Sequence, residues 1–117
     1  MPDIIALCAR LQPKPGKKLE YLRHLKIELE EVRKDSHLIS IFVHEGEGED
    51  DRVMLYEIWR GTKERFFAEE MIKPYRASYM KAMEELIDHV EVEWWDIESE
   101  WGSSIIPAEL LKNKPSP

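Results

Sequence analysis

Two short stretches of this chain set polar groups among hydrophobic neighbours. In Arg52 to Arg60 (RVMLYEIWR), Glu57 falls in period 2 with Val53, Leu55 and Trp59, so a carboxylate shares an otherwise apolar strand face. Burial disfavours the charged form, which raises the pKa of such a carboxyl and lets it act as a base. An ion pair with an arginine across a subunit boundary is the structural alternative. In Lys73-Pro74-Tyr75-Arg76, Pro74 suits the first position of a helix, which sets Tyr75 and Arg76 at that helix's start. A helix N-terminus carries partial positive charge and favours an anionic oxygen nearby. The Arg76 guanidinium would add a fixed cation, or else snorkel with a solvated head. Glu57, Tyr75 and Arg76 are therefore the candidate catalytic residues, equipped to remove a proton and hold the enolate or phenolate that results.

Other reactive types are less promising. His24, His37, His44 and His89 are scattered, with no His-x-x-x-His or other metal-ligand spacing. His24 falls off the apolar stripe of its helix, and His37 and His89 precede strands as surface turns. Only His44, at a strand end, is expected near a pocket mouth. The run Glu45, Glu47, Glu49, Asp50, Asp51 lacks the alternating Asp pattern and Gly of a calcium loop and reads as a solvated hairpin. Cys8 sits mid-strand as a small apolar residue. No phosphate-cradling glycine loop, Ser-His-Asp set or dinucleotide fingerprint is present.

Composition narrows the function classes. The 117 residues allow one domain, and 43% hydrophobic residues allow a packed core. With 17 Lys+Arg against 24 Asp+Glu the net charge is −7, which argues against nucleic acid or an anionic membrane as the main partner. No apolar run reaches the ~20 residues that span a bilayer. The N-terminus carries Asp3 and no basic segment, unlike a secretory signal. One cysteine forms neither an intramolecular disulfide nor a multi-cysteine metal site, so a reducing, cytoplasmic setting is expected.

The elements that must position these residues follow from periodicity. Residues 3–12 read as a buried strand closed by Pro13-Lys14-Pro15-Gly16. Leu19, Leu22, Leu25, Leu29 and Val32 form one stripe of a helix over about 17–35. Leu38 to His44 and Arg52 to Arg60 read as a hairpin. Both parities of the first strand are apolar, so either of its faces can line a pocket. Thr62 is a plausible N-cap for a short helix to about Met71. In the next helix Tyr75, Tyr79, Met83, Leu86 and Ile87 share one arc, opposite Lys81, Glu84, Glu85 and Asp88. Val90 to Ile97 alternates as the last strand.

The order β-α-β-β-α-α-β predicts an α+β, ferredoxin-like split βαβ with an antiparallel four-stranded sheet. Helices cover one face of such a sheet, yet Val92 and Trp94 on one side and Trp95 and Ile97 on the other are bulky and apolar. A bare apolar face that large calls for a second copy, hence a homodimer packed sheet to sheet. Residues 1–99 are expected to form the domain. The tail 100–117 contains Ile105-Ile106-Pro107-Ala108-Glu109-Leu110-Leu111 and is expected to lie on the body or on the partner subunit.

These pieces resemble the antibiotic biosynthesis monooxygenase (ABM) domain of the dimeric α/β-barrel superfamily. The resemblance rests on Ala9-Arg10-Leu11 leading to Lys14-Pro15-Gly16-Lys17, the Leu/Glu helix, Leu55-Tyr56-Glu57-Ile58-Trp59, and the helix opened by residues 73–76. It spans roughly residues 4–98. It implies a homodimer in which paired sheets form a barrel, with a pocket in each subunit between sheet and helices. Relatives include enzymes that oxygenate aromatic polyketides or quinols without metal or flavin, enzymes that degrade haem, and many proteins of unassigned role. On the same resemblance Trp59 stands where members line the cavity, and Tyr75 replaces a frequent histidine. The substrate-binding set expected is Trp59, His44, Phe66, Tyr79 and Met83.

Haem degradation requires, in those relatives, an Asn on the first strand, a Trp in the helix after the Trp59 strand and a His in the next helix. Here the first strand has no Asn, Phe66-Phe67-Ala68 fill the first helix, and residues 73–88 contain no His. The leading expectation is an ABM-type monooxygenase that takes a small aromatic or quinol-like substrate and needs no cofactor. The alternatives are a non-catalytic ligand-binding or stress-response dimer, and a proton-transfer isomerase or cyclase using Tyr75 or Glu57.

Overall fold

A computed structural model describes residues 3–113. The Lys-Pro-Ser-Pro end, residues 114–117, and the first two residues lie outside the described part. Strand β1 (Ile4–Pro13) closes at a turn in which Gly16 takes a φ of 76°, a left-handed conformation that side chains resist. Helix α1 (Lys18–Val32) leads to β2 (Leu38–Glu45), the hairpin and β3 (Val53–Arg60). Helix α2 (Lys63–Arg65) is capped by the Thr62 hydroxyl, which accepts from Arg65 N at 3.1 Å. It runs directly into a π-helical turn over Phe66–Glu70. Helix α3 (Arg76–Leu86) passes without a loop into β4 (Ile87–Trp95).

The strands lie in the order β2-β3-β1-β4 with every neighbouring pair antiparallel, the ferredoxin-like arrangement. Leu11, Val53 and Leu55 face Tyr21, Leu22 and Leu25 of α1 and Ala82 and Leu86 of α3 in one buried cluster. A second cluster joins Leu7, Val32, Trp59 and Phe66. Among the described residues no helix is long and apolar enough to cross a membrane.

Several boundaries move from their expected places. Ile87 opens β4 instead of closing α3, because an apolar residue there satisfies the helical arc and the strand face equally. Pro74 sits in a turn whose carbonyls bond Arg76 N and Ala77 N (from Lys73 and Pro74, at 3.0 and 3.2 Å), so it precedes α3 instead of starting it. Leu19, placed on the core stripe, is 81% exposed, while Tyr21 is fully buried. The apolar line of α1 therefore starts from Tyr21 and Leu22.

The open parity of β2 is resolved by register. Ile41 pairs with Glu57 and Val43 with Leu55, so these two face the helices, and Phe42 and His44 face away. On that outer face Ile106 and Leu110, the latter in a 3₁₀ turn (Ala108–Leu110), pack on Ile58 with Ile4, Ile39, Tyr56 and Ile97 around them. These tail residues thus pack on the body of their own chain.

Candidate active site

Register dictates which residues can meet between sheet and helices. From β1, Leu7, Ala9 and Leu11 point to the helical side, and from β3, Leu55 and Glu57 do the same. Their β4 partners are Trp94, Val92 and Val90. Against these stand Leu25, Glu28, Leu29 and Val32 of α1, spaced 3, 1 and 3, and Arg76, Tyr79, Met80 and Met83 of α3. Phe66, Phe67 and Met71 close the side between β4 and α3. The cavity they line opens to solvent on one side and measures about 510 Å³, within the range of small-molecule sites. Phe67, Met80, Val90 and Val92 are 40–51% exposed and form a rim, whereas Leu11, Leu25, Glu28 and Val32 are at most 6% exposed and lie behind it.

The cavity is apolar except for Lys63, whose ammonium lies 5.7 Å from the Trp94 ring centre, and a small group of charges that face one another. Arg76 donates from Nε at 2.7 Å to the carbonyl of Glu70, which also accepts from Lys73 N at 3.3 Å, so its guanidinium is tied to the end of the π turn. Its Nη1 lies 3.8 Å from Glu28 Oε2, and its guanidinium carbon lies 5.6 Å from the Phe66 ring centre. Arg76 Nη2 and Glu28 Oε1 are buried without a partner among the described residues. Burial pushes the Glu28 carboxyl up to about 7, with Arg76 pulling down and Glu57 pushing up further. Burial also raises Glu57, opposed by the Trp59 indole N–H, which donates to Oε1 at 2.9 Å, and by Arg76. Tyr79 shares a 2.7 Å hydroxyl hydrogen bond with Tyr21, and burial drives both phenols upward.

Of the residues expected from sequence, Glu57, Arg76, Phe66, Tyr79 and Met83 meet on this wall. Three do not. Trp59 is fully buried behind Glu57, edge-on to Phe66, where a flat bulky ring fills the core and steers a carboxylate. Tyr75 packs in the second cluster, its hydroxyl buried and without a partner among the described residues, and is not one of the residues that line the cavity. His44 lies on the outer sheet face beside Arg10 and Arg52, because its register partner is Met54. At the start of α3 the backbone N–H groups of Arg76 and Ala77 are bonded within the preceding turn, to Lys73 O and Pro74 O. The residue sequence reasoning missed is Glu28. Its signal was present, since it stands three residues after Leu25 and four before Val32, inside the apolar stripe.

A separate cluster braces the site from outside. Asp35, His37 and Glu70 come together with Lys73 and Arg65 around them. Burial pushes Asp35 up, but hydrogen bonds with Glu70, Lys73 and His37 outweigh it and hold the carboxyl well below the ordinary range. With two cations already against two carboxylates, the group reads as structural.

The fold recurs in solved structures. A Mycobacterium tuberculosis protein matches at 20% identity over 85% of this chain and 99% of its own, with a TM-score of 0.73. A Shewanella oneidensis protein matches at 22% identity over 79% and 88%, with a TM-score of 0.69. A Nitrosomonas europaea protein, provisionally named an antibiotic biosynthesis monooxygenase, matches at 10% identity over 80% and 88%, with a TM-score of 0.70. No curated protein matches the chain. Residues 4–66, from β1 through Phe66, match the family model described as antibiotic biosynthesis monooxygenase. That match covers more than half the sequence and includes Glu28 and Glu57, so the chain belongs to the antibiotic biosynthesis monooxygenase family.

Proposed function

We propose that this chain is a cofactor-independent monooxygenase that oxidises a small aromatic, quinol- or anthrone-like substrate in the cavity between sheet and helices. The observation that carries the reading is the cavity itself: about 510 Å³, largely apolar, with a guanidinium and two carboxyls set behind its rim. A bicyclic or tricyclic aromatic fits that volume and character. Such a substrate, once deprotonated, gives electrons directly to dioxygen. A proton leaves the substrate, from the activated ring carbon or equally from the hydroxyl of its enol tautomer, which gives the same anion. A carbon–oxygen bond then forms from that carbon to dioxygen, and the resulting hydroperoxide loses water to leave a carbonyl. One oxygen atom enters the product and the other departs as water. The protein contributes a dry pocket, a proton acceptor and a charge opposite the developing oxyanion. Arg76 supplies the last of these, while Phe66, Tyr79 and Met83 hold the ring.

The same proposal includes a homodimer joined through the outer sheet face, residues 1–99 as the functional domain, and a reducing, cytoplasmic setting consistent with the lone buried thiol Cys8. The test is oxygen uptake with an anthrone or naphthoquinol, without added metal or flavin, and identification of the product carbonyl. One oxygen consumed per carbonyl formed, lost in Arg76→Ala, supports it. Saturable binding of every such compound with no oxygen uptake leaves a non-catalytic binding protein instead.

A further inference from the structure

We propose that Glu28 is the group that takes the substrate's proton, and that Glu28 and Arg76 together select a planar ligand carrying a hydroxyl beside a carbonyl. This rests on the cavity's being the substrate site.

The argument begins with two buried atoms that lack partners. Glu28 is 6% exposed, on a helix face otherwise made of Leu25, Leu29 and Val32, and its Oε1 accepts no hydrogen bond from the described residues. Arg76 Nη2 likewise donates to none. The two side chains face each other, Nη1 to Oε2, at 3.8 Å, beyond direct hydrogen-bond reach. Buried polar groups are normally satisfied, and unsatisfied ones in a ligand-sized cavity mark where a ligand supplies the missing partner. Arg76 asks for an acceptor. Glu28 asks for a donor. A single ligand meets both needs when its acceptor and donor are neighbours, as in a hydroxy-ketone or an enolised dicarbonyl.

The other carboxyl is less suited. Glu57 Oε1 already accepts from the Trp59 indole, which holds it in a fixed structural bond. Glu28 has no such commitment, and its carboxyl, raised to about 7 by burial, is poised for exchange near neutral pH. In the step itself the ligand's O–H bond breaks, its electron pair stays on the ligand oxygen, and the proton passes to Glu28 Oε1. The oxyanion, delocalised into the adjacent carbonyl, then rests against Arg76. No electron transfer and no leaving group are involved.

The probe is 1-hydroxy-2-acetonaphthone, with 1-naphthol and 2-acetonaphthone as analogues that each lack one group. Binding is read by tryptophan fluorescence, and ionisation by the long-wavelength absorbance of the naphtholate. The expected result is that wild type binds the hydroxy-ketone at least about tenfold more tightly than either analogue, the yield of about one hydrogen bond. Bound naphtholate appears as pH rises through neutrality. Glu28→Gln abolishes that band while keeping the far-ultraviolet dichroism of the fold, and Arg76→Gln weakens binding. No binding to wild type, equal binding of the analogues, or an unchanged naphtholate band in Glu28→Gln overturns the proposal. Oxygen uptake is scored separately. A naphtholate band without oxidation of any quinol removes the monooxygenase reading alone. Undiminished oxidation by Glu28→Gln with an unaltered pH profile removes this one alone.

Discussion

Glu28 carries a cost that depends on pH. Its folded pKa of about 7 stands above its ordinary value of 4.5, so between those values the folded chain binds the proton that the unfolded chain releases. The stability contributed by that proton is complete below the unfolded value and is lost as pH rises through about 7. The groups facing Glu28 do not reverse the sign: Arg76 from α3 lowers it by less than burial raises it, Glu57 from β3 is itself raised, and Tyr21 and Tyr79 are pushed upward. Glu28→Gln keeps the shape without the titration. Its melting temperature relative to wild type is therefore expected to rise between pH 5 and pH 8, and an unchanging difference would contradict a buried carboxyl. For turnover, Arg76→Ala is expected to lower the rate by roughly 10²–10³, as loss of an oxyanion donor does. Tyr75→Phe is expected to stay near wild type, because the phenol hydroxyl is not on the cavity wall. A quinol assay on the two variants separates these outcomes.

Between α2 and α3 the chain relies on one π turn. The widened turn over Phe66–Glu70 sends Phe66 into the core against Trp59 and Trp94, and puts Glu70 at the meeting point of Arg65 and Lys73. Lys73 also pairs with Asp35 at the entrance to β2, so the cluster ties the end of α1, the π turn and the approach to α3. Glu70→Ala would leave Arg65, whose Nε and Nη2 are already buried without partners, with no carboxylate among the described residues. Removing one member of such a buried pair costs about 3–5 kcal/mol. Urea unfolding is expected to show a loss of that order, and a loss below about 1 kcal/mol would mean the cluster is solvated.

The same elements show what sequence alone makes legible. Strand alternation and the Leu22, Leu25, Val32 spacing expose the sheet and α1, because each element buries one periodic face. Periodicity is silent where an apolar residue serves two elements, as Ile87 does. It also misplaces residues whose register is set by a distant partner, and His44 is on the outer face only because it pairs with Met54. Glu28 escapes because a carboxylate in a helix rich in Glu reads as surface, although it interrupts the apolar stripe.

At the scale of the whole molecule, the two faces of the sheet have different owners. The helices and the cavity hold one face. On the other, the described part of the tail covers the end around Ile4, Ile39 and Ile58. The remainder presents Phe42 on β2, 42% exposed and stacked with His44, and Trp95 on β4, 55% exposed, with Glu93 of β4 paired to Arg10 of the neighbouring β1. Aromatic groups around an internally paired charge suit a self-complementary contact, in which the same patch meets its own copy across a two-fold axis. The expected particle is a dimer at micromolar concentration, with a light-scattering mass near twice 13.9 kDa. The double variant Phe42→Glu, Trp95→Glu places like charges in that contact and is expected to give a folded monomer. Because the cavity lies on the opposite face, the monomer should still bind the hydroxy-ketone probe. A wild type that scatters as a monomer, or a double variant that stays dimeric, would place the contact elsewhere or remove it.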